Sequence, residues 1–165
     1  MKRLLTVLVL ILSLVSCNVN NAGDPFLQFK GEFSVTVNAV CEGNCSVFVY
    51  SSADKSIAFI SPAELKGYVM RNDNGKAILC YGGIEVPLSA YSSHLLTVCE
   101  EVFSADVDEI TSISAEETDS GTVTAVNTQS RTYRFLDDGT PLSASGTAAE
   151  CTFEMKFSDF RVSLK

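Results

Sequence analysis

Five cysteines, Cys41, Cys45, Cys80, Cys99 and Cys151, and the sole histidine, His94, are the side chains of this 165-residue chain best suited to nucleophilic, redox or metal chemistry. A zinc site built from Cys41, Cys45, His94 and Cys99 would need four ligands to converge. Structural zinc sites announce that with two closely spaced pairs, and the second pair is missing, so the sequence reads as holding no metal. Cys41 and Cys45 flank Glu42-Gly43-Asn44, a short turn containing glycine. Two strands meeting there would set the thiols opposite one another, which makes Cys41–Cys45 a candidate disulfide. Cys80, Cys99 and Cys151 fall within apolar patterns and read as small buried hydrophobes. Hydrolysis would need a nucleophile, a base and an orienting group. His94 stands alone, at the start of an expected helix, as a capping or solvent-facing residue. No G-x-S-x-G segment and no glycine-rich phosphate loop is present. The expectation is no catalysis and no cofactor.

A sixth cysteine, Cys17, has a different setting. Lys2 and Arg3 precede an apolar run over residues 4–15 that only Thr6 and Ser13 interrupt. Such a run is shorter than the roughly 20 residues a transmembrane helix needs, and it fits a secretory signal. The run ends Leu14-Val15-Ser16-Cys17, which resembles the lipobox of bacterial lipoproteins. The resemblance implies removal of residues 1–16 and a diacylglyceryl group on the Cys17 thiol. The expected organisation is therefore a signal over 1–16, a lipidated cysteine and polar tether over 17–26, and one domain over 27–165. Two or more acyl chains on Cys17 would hold the protein stably on a membrane. The expected location is the outer face of the cytoplasmic membrane, or the outer membrane in a Gram-negative cell, where Asn18 would permit that sorting.

Residues 17–165 carry 10 basic against 20 acidic residues, a net charge of −10. That balance argues against nucleic acid and against adsorption to anionic headgroups. Glu100, Glu101, Asp106, Asp108, Glu109, Glu116, Glu117 and Asp119 crowd one region, but without the spacing of a calcium loop; they read as a solvated acidic face.

These residues need elements to position them, and the pattern is mostly strand. Phe29, Gly31, Phe33, Val35, Val37 and Ala39 alternate with polar residues, the period of a half-buried strand. Residues 57–60 are apolar on both faces and read as a central strand. Asn72-Asp73-Asn74-Gly75 marks a hairpin, and further strands follow over residues 110–115, 122–128, 131–136 and 141–144. In the last strand Cys151, Phe153, Met155 and Phe157 alternate until the phase shifts at Asp159, the sign of a bulge. Only residues 93–103 break the pattern. There Leu95, Val98, Cys99, Val102 and Phe103 recur at three and four, giving an amphipathic helix that Ser92 or Ser93 would cap.

The order of these motifs is the informative part. Ser61-Pro62-Ala63-Glu64-Leu65-Lys66-Gly67 precedes a hairpin. Tyr81-Gly82-Gly83-Ile84-Glu85-Val86-Pro87-Leu88 leads to the helix. Arg134-Phe135-Leu136-Asp137-Asp138-Gly139-Thr140-Pro141-Leu142 and Phe157-Ser158-Asp159-Phe160 follow. Over residues 29–162 this resembles small lipoproteins of Firmicutes whose domain is similar to the lipoprotein carriers LolA and LolB. The resemblance implies a mainly β, α+β fold: a strongly curved antiparallel sheet or half-barrel covered by one or two helices. It also implies an apolar cavity between sheet and helix. Ile57, Phe59, Ile60, Met70, Leu79, Leu95 and Val102 are the candidate lining residues for a lipid or other apolar ligand. The competing expectation is a tethered interaction or structural module with a fully packed core, no ligand and a partner protein. The motifs mark turns and a helix, so they carry over no catalytic residue.

Overall fold

The computed structural model describes residues 23–89, 94–118 and 121–163. The signal, Cys17 and the two capping serines lie outside the described residues. Within them, the chain forms β1 (Phe33–Cys41), β2 (Asn44–Ser51), β3 (Ser56–Ser61), β4 (Val69–Asp73), β5 (Lys76–Tyr81) and β6 (Ile84–Pro87). Then come the helix α1 (His94–Phe103), β7 (Ser112–Thr118), β8 (Gly121–Asn127), β9 (Arg131–Leu136), β10 (Pro141–Ala148) and β11 (Cys151–Val162).

All eleven strands join one antiparallel sheet in the order β6-β5-β4-β3-β2-β1-β11-β10-β9-β8-β7. Each neighbour follows in sequence except at the centre, where β1 pairs with β11. The sheet does not close: β6 and β7 are both free edges. This corrects the expected half-barrel covered by one or two helices. Eleven strands about 4.8 Å apart span nearly 50 Å. Among the described residues there is one α-helix, of ten residues, about 15 Å long and 10 Å across. Such a helix covers two or three strands and no more.

What fills the rest of that face is aromatic. Phe29 lies in a 3-10 turn (Leu27–Phe29) before β1, not in the strand its alternation suggested. Phe26, assigned to the tether on sequence, is fully buried. Its ring meets Tyr133 edge-on at 5.0 Å, so the packed unit begins before residue 27. Phe33, Tyr50, Phe103 and Phe157 join the same cluster, with Tyr50 stacked on Phe103 at 4.7 Å. Aromatic pairs at such distances add to the burial of their large areas.

Two local devices set the register. The β1–β2 hairpin closes with two residues, Glu42 and Gly43, both at positive φ, the geometry of a type I′ turn. The expected turn was three residues long. One residue fewer turns Cys45 to the other face from Cys41, because side chains alternate along a strand. The second device is the bulge expected from the phase shift in the last strand. Ser34 pairs with Arg161 and Thr36 with Ser158, and Asp159 takes up the extra residue at φ 51. One glycine is required by close approach. Gly146, at φ 139 in β10, leaves no room for a Cβ against the Ser130 carbonyl.

The C-terminal end of α1 is tied to β9. Tyr133 Oη donates to the Val102 carbonyl (3.0 Å), and Arg131 Nη1 donates to the Glu101 carbonyl (2.5 Å). A cation there also suits the negative end of the helix dipole. Arg131 Nη2 reaches Glu109 at 2.6 Å, and the Glu101 carboxylate accepts from the Ala149 amide at 2.9 Å.

Candidate functional site

The face that carries α1 is filled unevenly. Direct register partners share a face, and Ile57 of β3 pairs with Met70 of β4, Met70 with Leu79 of β5, and Leu79 with Val86 of β6. Exposure climbs along this row. Ile57 is 0% exposed, Met70 7% and Val86 50%; beside them Tyr81 is 52% and Ile84 67% exposed. Tyr81 pairs with Ile84, so the three exposed residues lie on the helix-bearing face. Tyr81 stacks on Tyr68 at 4.3 Å, which holds both rings flat at the margin of the strip. Half-buried Leu65, Tyr68, Leu79, Leu88 and Leu95 join this strip to the core. Single exposed hydrophobics are ordinary, but a contiguous apolar strip on a sheet edge is a candidate binding surface.

The residues expected to line a cavity divide accordingly. Ile57, Phe59, Met70 and Val102 are buried in the core, and Leu79 and Leu95 stand half-buried at its border. Ile60 does not join them. It sits at a register shift between β2 and β3 and is 46% exposed, so β3 is not covered on both sides as its sequence suggested. Tyr81, Ile84 and Val86, which lie outside that candidate set, form the accessible part. The available signal was Ile84-Glu85-Val86, an alternating pair of hydrophobics in the last strand before the helix.

A cleft of about 340 Å³ opens at the other end of α1, above Phe29, Phe33, Tyr50 and Phe103, with Lys30, Lys55 and Glu100 at its rim. Its volume is in the range of ligand pockets. Its four rings are each under a tenth exposed, so it offers little apolar surface, and Lys30 is held by Asp24 at 2.7 Å. The strip, rather than this cleft, presents apolar area that a ligand could cover.

Among the described residues the five thiols are all free. Cys41 pairs with Asn44 and Cys45 with Val40, so their side chains leave opposite faces of the hairpin and the candidate Cys41–Cys45 bridge is corrected. Cys45 Sγ instead lies 3.7 Å from Asn38 Oδ1. Cys80 is not buried either; it sits on the opposite face from the strip, 3.9 Å from Glu85. Cys99 and Cys151 are buried as expected. Burial pushes the Cys99 thiol well above its ordinary range. It raises Cys151 to about 11, with help from hydrogen bonding to Glu42, and it raises Cys41 too. His94 is half-buried rather than solvent-facing, with Nδ1 3.4 Å from Cys151 Sγ. Among the described residues no three His, Cys, Asp or Glu side chains gather as a metal site.

The acidic residues do not form one face. Glu100 accepts from Asn72 at 3.3 Å, Asp106 caps the 3-10 turn Val107–Glu109, and Glu116 meets Arg134 at 3.0 Å.

No family model matches the chain, and no curated protein matches it. Solved structures similar in fold include LprF from Mycobacterium bovis, at 9% identity and TM-score 0.47, covering 86% of this chain and 91% of that one. The Mycobacterium tuberculosis lipoprotein LppX matches at 12% identity and TM-score 0.44, over 84% and 91% of the two chains. A LolA superfamily protein from Nitrosomonas europaea matches at 10% identity and TM-score 0.41, over 82% and 88%. Likeness at this level carries no functional argument, which must come from this chain's own surfaces.

Proposed function

We propose that this chain is an exported lipoprotein, held on a membrane through a lipidated Cys17, that binds an acyl lipid or similar apolar ligand without chemistry. The ligand lies along the strip of Tyr81, Ile84 and Val86 beside α1. The observation that carries the reading is the exposure of these three side chains on the same face that buries Ile57 and Met70. No described helix is long and apolar enough to cross a membrane. In a Firmicute the site of action is the outer face of the cytoplasmic membrane, and in a Gram-negative cell the outer membrane.

Covering the exposed halves of three large side chains is worth about 1 kcal/mol each, or roughly 100-fold in affinity together. Mass spectrometry of lipid copurifying with the full chain tests this. An acyl lipid retained by the native chain and lost from I84D/V86D supports the reading; equal lipid content in both overturns it. Cys17→Ser should separately abolish acyl labelling and membrane retention while leaving the fold intact. Processing and retention unchanged in that variant would remove the anchor.

A second reading has its own observation. The aromatic rings already fill the face beneath α1, as a packed interaction module would require, and β6 offers an unpaired strand edge. On that reading the native chain retains a specific protein from membrane extracts and no lipid, and I84D/V86D loses the protein.

A further inference from the structure

Two of the thiols, Cys41 and Cys151, lie on the strands that pair at the centre of the sheet. Cys41 ends β1 and pairs with Phe153 of β11, and Cys151 opens β11 two residues earlier. Residues two apart on a strand share a face, so Cys41 and Cys151 are diagonal neighbours on the helix-bearing face. Diagonal neighbours in an antiparallel pair have Cα atoms about 7 to 8 Å apart with Cβ atoms closer, and a disulfide needs them within about 7 Å. The gap to close is no more than about 1 Å. Each thiol is near enough to perturb the acidity of the other. Cys41 is half-buried and can be reached from solvent, whereas Cys151 is buried, with His94 Nδ1 3.4 Å from its sulfur.

We propose that Cys41 and Cys151 are a reversible dithiol–disulfide pair, closed by exchange with a disulfide oxidant, in which His94 receives the Cys151 proton. The Cys41 thiol loses its proton to water, and its sulfur attacks one sulfur of the oxidant RSSR. The S–S bond of the oxidant breaks, and RS⁻ departs and takes up a proton. Cys151 passes its proton to His94 Nδ1, and its sulfur attacks Cys41 in the mixed disulfide. The second RS⁻ leaves and takes the proton from His94. Two protein thiols are oxidised by two electrons, and one RSSR is reduced to two RSH. The other thiols are placed to stay out of this exchange: Cys45 and Cys80 occupy the opposite face, and Cys99 is fully buried on α1.

The bond would join the first and last strands of the sheet and enclose a loop of more than a hundred residues. Closing so long a loop should raise the unfolding midpoint on the order of 10 °C. The test treats the reduced full chain with oxidised glutathione, alkylates the remaining thiols and maps peptides without reduction. The expected result is a Cys41–Cys151 cross-linked peptide, two hydrogens lighter, with Cys45, Cys80 and Cys99 alkylated. H94Q should close at least tenfold more slowly and accumulate glutathione on Cys41, a signature that a purely structural loss would not give. C41S and C151S should lose the oxidant-dependent midpoint shift, and C45S should keep it. A Cys41–Cys45 or Cys41–Cys99 peptide in place of the expected one, or Cys41 and Cys151 both alkylated after oxidation, would overturn the proposal. Because the mapping uses the native chain, it stays decisive if a serine variant fails to fold.

Discussion

On the helix-bearing face, Phe33 of β1, Tyr50 of β2 and Phe157 of β11 pack on Phe103 of α1, while the last residue of β5 and the apolar residues of β6 stay uncovered. The first region contains Phe33, Tyr50, Phe103, Tyr133 and Phe157, all under a tenth exposed; the second presents Tyr81, Ile84 and Val86 at half exposure or more. β1 in the first region and β6 in the second both alternate apolar and polar residues in the way that normally places one face inside. The difference lies in what reaches them. Phe26 and Phe29 fold back over β9, and α1 lies along the central strands, whereas Tyr81, Ile84 and Val86 keep half or more of their surface exposed. Alternation in a strand therefore records which way a side chain faces and leaves open whether anything covers it. A strip that keeps its hydrophobic pattern with nothing of its own to bury it is where a ligand gains most.

Mutations can break this contrast, and the largest effects belong to the packed region. Phe103→Ala should cost about 3–5 kcal/mol in denaturant unfolding, because four neighbouring rings would border the hole. Val86→Asp, by contrast, should change stability by less than about 1 kcal/mol, as surface substitutions do. Similar losses from the two would mean that the strip is part of the core. Arg131→Met should cost about 1–3 kcal/mol, since it strips the Glu101 carbonyl and Glu109 of a charged donor that is only 12% exposed.

Alkali should act first on the packed region. Burial raises the phenol pKa of both Tyr50 and Tyr133 above the ordinary value of 10. Both are neutral acids when folded, so their contribution is complete below pH 10. It is lost as pH rises from there toward the folded values. Each should remove about 1.4 kcal/mol per pH unit above 10, so Tyr133→Phe should lower the slope by that amount. An unchanged slope would show that the Tyr133 phenol does not contribute. The smallest expected effect is Arg71→Ala, which removes an exposed 2.8 Å ion pair with Glu85 across β4–β6. No resolvable loss should appear in denaturant unfolding, sharpening the view that backbone pairing holds the β6 edge.

Most of the strands were legible because period-two alternation and glycine-containing turns survive in the local sequence. The hairpin at Asn72–Gly75, the helix over His94–Phe103 and the bulge at Asp159 all stand where their signals lie. Three features were not legible. The length of the Glu42-Gly43 turn decides the faces of Cys41 and Cys45, and a single residue reverses the answer. The burial of Phe26 depends on a contact with Tyr133, more than a hundred positions away. Ile60 read as core because it lies in an apolar run, yet a register shift between β2 and β3 leaves it exposed. As for the strip, Ile84 and Val86 were visible as an alternating pair, but their exposure follows from β6 being a sheet edge, which depends on the pairing order of all eleven strands.

Photolabelling tests the central claim most directly. The membrane-anchored full chain is illuminated with a photoactivatable fatty acid, and the labelled residues are mapped by mass spectrometry. Label concentrated on residues 76–88, competed away by excess unlabelled fatty acid and absent from I84D/V86D, is the expected result. Label confined to the cleft above Phe29 and Phe33, or no competable label on the domain, would contradict it.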